Sequence, residues 1–476
     1  MNIMMVSAES CPLYKTGGLA DVVYALSKEV AKKNHNVSIV LPYYEAIKAN
    51  KNYSFTKTDE FFVSMSWRIN KAEIYEGTID GIKYYLISNP YFDTYDIYNE
   101  QTYVERFAFF NLAAKQLIAL KKPNIVHVHD WHVGMLPCLM REDKENQKIF
   151  SKIKTVFTIH NVLFQGKFDK YILNNCFNLN DELFDNGMVR FDNLVNAMKT
   201  GIVYADYITT VSPNYAKELL TPEGGKGMNY VLKDKINLFS GILNGIDTET
   251  FNPYKDPFIS FNYNSVNYFR TKIMNKRSLF KELNIFEYGG PLYCYISRFD
   301  RSKGCELMFP ALREILDRKG NIIMLGKGDY NFEQQAEQLR RDYPKQVYVY
   351  IGLNEELAHK VYAASDFLIM PSITEACGLS QLIAQRYGTL PIVRNTGGLV
   401  DTVRGYEGNN ADRADGISFN DYDYFAITNA FVRAEQLWKN IPDRMKVMKN
   451  AMRKDNSWTK SAQEYIEIYK NILKVR

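Results

Sequence analysis

At 476 residues the chain is too long for one ordinary core and suggests two large domains; its composition, 46% hydrophobic, 24% charged and 14% aromatic, is that of a globular protein. The longest apolar runs, such as IVHV and FLIM, fall far short of the roughly 20 residues that cross a bilayer, which excludes a membrane-helix protein. The 59 basic and 54 acidic residues, net +5, form no long basic block, so neither nucleic acid nor an anionic membrane surface is an expected partner.

The opening MNIMMVSAES lacks a basic region ahead of a hydrophobic stretch, so it reads as a buried strand and not a signal peptide. Cys11, Cys138, Cys176, Cys294, Cys305 and Cys377 are widely spaced and form no CxxC pair; reduced thiols and a cytoplasmic setting are expected. From the first strand onward, apolar runs alternate with helical patterns, the signature of parallel sheets. NIMMVSA, NVSIVLP, KYYLIS, NIVHVH, KTVFTIH and DYITTVS are strand candidates in the first half. LYCYISR, NIIMLGKG, QVYVYIG, DFLIMPS and LPIVRN restart the pattern in the second. Two open sheets follow, with a boundary near LNGIDTETFNP at 243–253, where Asn, Gly and Asp interrupt the alternation. The expected division is 1–242, 243–456 and a helix over 457–476 packing back across the boundary, with an inserted helical region at about 162–204, a stretch that reads equally as a functional loop region.

Ligands of open parallel sheets bind beyond the carboxyl ends of the strands, where glycine turns let backbone N–H groups face an anion. KTGGLADVV at 15–23 follows the first strand, with Lys15 adding charge and Leu19, Val22, Val23, Leu26 and Val30 at helical spacing. NTGGLVDTV at 395–403 repeats it as TGGLxDxV. Either pair alone serves equally well as a tight turn before a helix. SRFDRSKG places Arg298 and Lys303 beyond another strand, a pair suited to an oxygen-rich anion or to plain surface solvation. LGKGD, with Gly326, Gly328 and Asp329, is half a dinucleotide fingerprint and lacks the third glycine; GGKG at 224–227 lacks the Walker spacing.

His127, His129 and His132 cluster in HVHDWH, with the first two on one strand face. A metal is one reading of that cluster, but no Cys or carboxylate set accompanies it at familiar spacing, and no metal or cofactor is assigned. Asp130 fits an end-of-strand polar role, and His160 ends a strand in FTIHN. Glu375, in PSITEACGLSQL, either caps the helix that follows or accepts hydrogen bonds from sugar hydroxyls.

KTGGLADV, DWH, HN followed by QG, TPEGGKG, NGID followed by NP, SR with KG, GKGD, EACGL and NTGGLVDTV occur in an order similar to that of bacterial glycogen synthases and plant starch synthases. The sequence resembles a retaining glucosyltransferase of that family over its whole length. The resemblance implies the α/β GT-B architecture, two Rossmann-like domains with parallel sheets facing across a deep cleft. It also implies transfer of glucose from ADP-glucose to the nonreducing end of an α-1,4-glucan. On the donor side it points to Lys15, Gly17, Gly18, Asn244, Gly326, Gly328, Asp329, Leu353, Cys377, Gly378, Leu379, Thr396, Gly397 and Gly398. Asp21, Asp130 and Asn161 match acceptor or cleft positions, and His160, Arg298, Lys303 and Glu375 the catalytic ones. By that likeness Arg298 and Lys303 neutralise the departing diphosphate, a task that a metal performs in other transferases.

Departures from the family pattern surround Glu375, where Ile373, Thr374 and Ala376 replace a cation, an aromatic and a proline. Leu353 stands where an aromatic often meets the nucleotide base, Ile383 replaces a frequent Tyr, and Phe251 a common Trp. Two other readings stay open: a catalytically weak glucan-binding homologue, and a related glucosyltransferase with another donor or a small acceptor.

Overall fold

The computed structural model describes residues 1–99 and 102–474. Contacts divide the chain into two units, Met1–Asn244 joined by the segment from Trp458 onward, and Gly245–Ser457. The last two residues of the tail expected at 457–476 lie outside the described residues.

In the first unit the strands are β1 (Asn2–Val6), β2 (Asn36–Pro42), β3 (Thr56–Met65), β4 (Arg68–Ile79), β5 (Ile82–Ser88), β6 (Ile125–His129) and β7 (Lys154–Ile159). Then come β8 (Lys167–Phe168), β9 (Arg190–Phe191) and β10 (Leu194–Asn196), which pair among themselves, and finally β11 (Tyr207–Thr210) and β12 (Phe239–Gly241). The main sheet has the order β12-β11-β7-β6-β1-β2-β5-β4-β3, parallel from β12 to β5. β3 and β4 add antiparallel to its edge. Central strands such as IVHVH are buried along their whole length because helices cover both faces.

Two features depart from the sequence expectation. The hairpin β3–β4 was not among the candidates. Its turn at Ser66–Trp67 carries no Asn-Gly signal, although Ser66 takes the left-handed φ of 55° that such turns need. The region at about 162–204 is not simply helical: short helices are interleaved with the three strands β8 to β10.

The second unit has β13 (Leu292–Ile296), β14 (Asn321–Gly326), β15 (Val347–Ile351), β16 (Phe367–Met370), β17 (Leu390–Arg394) and β18 (Ile417–Phe419), all parallel, in the order β15-β14-β13-β16-β17-β18. Ranked by position in the chain, this is the 3-2-1-4-5-6 order of a doubly wound sheet. The parallel part of the first unit follows the same rule around β1. Each sheet reverses its winding once, between β1 and β6 and between β13 and β16.

The helix Trp458–Lys474 packs along helix Gly18–Lys32 and buries Trp458, Tyr465, Ile466, Tyr469 and Ile472 on one face. Its Ser461 hydroxyl donates to Leu243 O, and Tyr469 Oη lies 2.8 Å from His127 Nδ1 under the central strands.

Candidate functional site

The loop after β1 carries Lys15 to Gly18, and the loop after β6 carries Asp130; both sit at the winding reversal of the first sheet, where a ligand meets loops from both sides. Buried Glu9 shapes the first loop. Its carboxylate accepts from Thr16 N at 2.5 Å, from Thr16 Oγ1 at 2.6 Å, and from the Tyr98 hydroxyl. Lys15 Nζ lies 2.8 Å from Asp21 Oδ1, and Cys11 Sγ 3.3 Å from the same oxygen. A Cβ added at Gly17 would meet nothing within 4 Å, so no packing in this unit demands glycine there. Gly17 caps a 15-residue helix with no side-chain hydrogen bond, which leaves that helix N-terminus to other acceptors.

Asp130 has φ 65° and ψ 177°, a region nearly reserved for glycine that costs about 1–3 kcal/mol. Its Oδ1 accepts from His160 N at 3.2 Å, and burial pushes its pKa up to about 7 against the opposing backbone hydrogen bonds of His160 and Asn161. His160, from the loop after β7, places Nε2 3.1 Å from His129 Nδ1. Burial depresses the pKa of His160, His127 and His132 to about 3 and lowers that of His129. The cluster is thus a stack of neutral imidazoles, with His127 and His129 rings 4.1 Å apart as strand alternation dictates. Both nitrogens of His127 meet hydroxyls, of Tyr469 and of Thr158 at 2.6 Å, which makes it a structural bridge.

Asn161 Oδ1 turns the loop by accepting from Leu163 N at 3.0 Å. Gln165 ties this loop to GGKG by donating to Lys226 O at 3.1 Å. The glycines of GGKG serve packing: a Cβ at Gly224 would lie 2.2 Å from Glu218 O, and one at Gly227 2.2 Å from the Phe191 ring. Asn244 is buried, with Oδ1 lacking a partner among the described residues.

In the second unit Arg298 and Lys303 follow β13 and Glu375 follows β16, again on the two sides of the winding reversal. Lys303 Nζ lies 2.6 Å from Glu375 Oε2. Glu375 also accepts from Ser372 Oγ at 3.2 Å and is nearly buried, so it does not cap the helix Ser380–Arg386 as one sequence reading had it. Asp300 holds the cationic loop in a tight turn by accepting from Lys303 N at 3.1 Å. Arg298 extends with its side chain 59% exposed, its Nε 3.5 Å from Asp300 Oδ2.

The second glycine pair is built differently from the first. Gly397 has φ 48°, and a Cβ there would stand 1.9 Å from Glu375 O; Gly398 N donates to that oxygen at 3.0 Å. A Cβ at Gly398 would press on Cys377 Cα at 2.5 Å. The pair therefore lets the β17 loop, with buried Thr396, close onto the segment of Glu375, Cys377 and Gly378. Gly378 has φ 78°, and Gln381 Nε2 braces the turn by donating to Cys377 O at 2.9 Å and Gly378 O at 3.1 Å; Leu379 packs partly against the core.

Gly326 and Gly328 admit the backbone of Ser297 and Phe299, where a Cβ would meet carbonyl oxygens at 2.0 and 2.2 Å. Asp329 caps the helix Tyr330–Asp342 through Asn331 N at 2.8 Å. Leu353, on the loop after β15, is 86% exposed. The residues that sequence reasoning missed are Glu9, Asp300, Ser372 and Gln381, which position the loops. No helix among the described residues is long and apolar enough to cross a membrane. Nor is any group of three or more His, Cys, Asp or Glu side chains among them placed to hold a metal ion.

Residues 2–234 match the family model described as the starch synthase catalytic domain, and residues 276–454 that of glycosyl transferases group 1. The glycogen synthase of Clostridium kluyveri is 39% identical over 488 residues, covering 99% of this chain and 100% of its own. That of Streptococcus mutans is 39% identical over 480 residues, with the same coverage. Among solved structures, the catalytic domain of starch synthase IV from Arabidopsis thaliana, bound to ADP and acarbose, superposes with a TM-score of 0.92 at 32% identity, covering 99% of each chain. Sucrose-phosphate synthase from Thermosynechococcus elongatus shares the fold, with a TM-score of 0.64 at 16% identity over 100% of each chain.

Proposed function

The chain belongs to the glycogen and starch synthase family of glycosyltransferases, and from that membership we propose that it transfers glucose with retention from ADP-glucose to the nonreducing end of an α-1,4-glucan. Its activity is that of a glycogen or starch synthase on the GT-B fold, with a nucleotide sugar as donor and a glucan as acceptor. The adenine base, the cytoplasmic setting and the individual residue roles are our reading. ADP in the starch synthase IV structure supports the choice of base.

One observation carries the assignment of roles: the Lys303–Glu375 pair at 2.6 Å, set at the winding reversal with Arg298 beside it. Lys303 and Arg298 offset the charge that builds on the diphosphate as its bond to the sugar's anomeric carbon breaks. Glu375 holds Lys303 in place and accepts from glucose hydroxyls, while the turn at Cys377, Gly378 and Leu379 presents backbone N–H groups to the donor and the glycine pair Gly397–Gly398 lets the β17 loop close onto that turn. The acceptor hydroxyl attacks from the face the diphosphate leaves, and the departing phosphate oxygen takes its proton; no side-chain nucleophile is required. In this scheme the Gly245–Ser457 unit takes the donor, and the unit of Asp21, Asp130, Asn161 and His160 takes the glucan. Neutral His160 acts there as a hydrogen-bonding group.

Incorporation of labelled glucose into glycogen from ADP-glucose and from UDP-glucose, beside Lys303→Ala, tests this. Strong incorporation from ADP-glucose that the variant loses is the expected result. A folded protein that binds glycogen but incorporates from neither donor would make the chain a noncatalytic glucan binder.

A further inference from the structure

The loop after β14 carries an aromatic side chain that the charge chemistry does not use. Tyr330 opens helix Tyr330–Asp342 directly after Asp329 and is 70% exposed. Among the described residues no hydrogen bond or ring contact engages its side chain. A single exposed tyrosine is ordinary on a protein surface, so its meaning comes from its place in the sheet. That place is fixed by the backbone. Phe299, the neighbour of Arg298, donates its N–H to Lys327 O at 3.3 Å, and Asp329 N donates to Phe299 O at 2.7 Å, so the loop of Tyr330 is stitched to the loop of Arg298. On the other side Gly352 N donates to Gly326 O at 2.8 Å, which brings up the loop of exposed Leu353. The two carboxylates flanking Tyr330 in the chain are turned to backbone: Asp329 caps Asn331 N, and Glu333 Oε1 accepts from Gly328 N at 2.8 Å.

A diphosphate held by Arg298 and Lys303 at the winding reversal has two ways to extend its nucleoside along the strand ends, toward β17 or toward β14. The β17 side is closed, because Gly397 and Gly398 bring their loop against the backbone of Glu375 and Cys377 too tightly for even a methyl group. The β14 side is open: Gly326 and Gly328 place no side chain over the strand end, and beyond them stand Tyr330 and Leu353. Leu353 has no π face, whereas the Tyr330 ring does, and such a ring stacks on any base, with the larger overlap for a purine.

We propose that Tyr330 is the residue of this chain that stacks on the nucleobase of the sugar donor, and that it favours a purine. The assignment rests on the donor reading of Arg298 and Lys303 above. The full chain is compared with Tyr330→Ala, Tyr330→Phe and Lys303→Ala by calorimetry with ADP, UDP and inorganic pyrophosphate. Tyr330→Ala is expected to bind ADP about 10-fold and UDP about 3-fold more weakly, and pyrophosphate within about twofold of the parent, while Tyr330→Phe keeps the affinity for ADP. In proton NMR the bound adenine signals shift upfield under the ring current of the parent and of Tyr330→Phe, and lose that shift in Tyr330→Ala. Unaltered ADP affinity in Tyr330→Ala overturns the proposal. So does an equal loss for ADP and pyrophosphate, which marks a disturbed loop, or a loss in Tyr330→Phe as large as that in Tyr330→Ala. The two readings fail separately. If Tyr330→Ala weakens ADP alone while Lys303→Ala leaves pyrophosphate binding intact, the tyrosine assignment stands and the diphosphate reading of Lys303 falls. A parent that binds pyrophosphate through Lys303 but binds neither nucleotide more tightly than pyrophosphate overturns the tyrosine assignment alone.

Discussion

The two units wind their parallel strands by one rule and put different chemistry at the point where the winding reverses. In the first, the loops after β1, β6 and β7 bring Lys15, Asp130 and His160; Lys15 pairs with Asp21 in an exposed ion pair, and burial keeps the imidazoles neutral. In the second, the loops after β13, β16 and β17 bring Lys303, Glu375 and Thr396, and a formal ion pair forms at 2.6 Å. Topology decides where a ligand can meet the sheet; the side chains decide what charge and hydrogen-bonding groups it would meet there. The TGGLxDxV echo sharpens the point. Its copies follow the first strand of one unit and the fifth of the other, so they are not topological equivalents, and neighbours force glycine at Gly397 and Gly398 but not at Gly17.

Lys303→Ala is the strongest probe of this contrast. If the second unit carries the charge chemistry, kcat for glucose incorporation falls by about 10²–10³, whereas an effect under tenfold would erase the distinction. The glycine pairs separate packing from ligand contact. Gly397→Ala, with a Cβ 1.9 Å from Glu375 O, should lose about 2–4 kcal/mol in a denaturant melt. Gly17→Ala should leave the melt unchanged and lower activity only, and a destabilised Gly17→Ala would mean that both turns are structural.

The pH response tests the neutral half. For the buried histidines, held below their usual pKa, the unfolded chain binds more protons between about pH 6.5 and 3, so their share of stability is lost as pH falls through that window. Asp130, raised to about 7, works the other way: the folded state holds the extra proton between about pH 4 and 7, so its share is lost as pH rises. Asp130→Asn should therefore make acid unfolding between pH 6.5 and 4 steeper, by up to about 1.4 kcal/mol per pH unit, in urea melts across that range. An unchanged slope would place the Asp130 pKa near that of an ordinary carboxylate. The smallest effect concerns the exposed Leu353. Leu353→Tyr should lower the KM for ADP-glucose about 2- to 5-fold without moving Tm, through an added stacking face.

Much of this was legible in the sequence. Runs such as NIVHVH and DFLIMPS became β6 and β16 because strands covered on both faces must be apolar throughout. The cationic pair was visible as SRFDRSKG after a strand. What stayed hidden depends on contacts distant in the chain: Lys303 meets Glu375 72 positions away, and His127 meets Tyr469 342 positions away. Glu9 gave no signal because AES after a strand matches no motif. The hairpin β3–β4 was masked because its outer face mixes the ion network of Lys57, Glu60, Lys71 and Glu73 with exposed Phe62 and Ile69.

The helix Trp458–Lys474 completes the unit of β1, although the whole of Gly245–Ser457 is made in between. At ribosomal speeds of about 5–20 residues per second, the nascent first sheet waits about 10–40 seconds for the tyrosines that cover His127. During that interval the apolar seam along helix Gly18–Lys32 is open, so a holdase chaperone, or a peptide of Trp458–Lys474 added in trans, has a defined place to act.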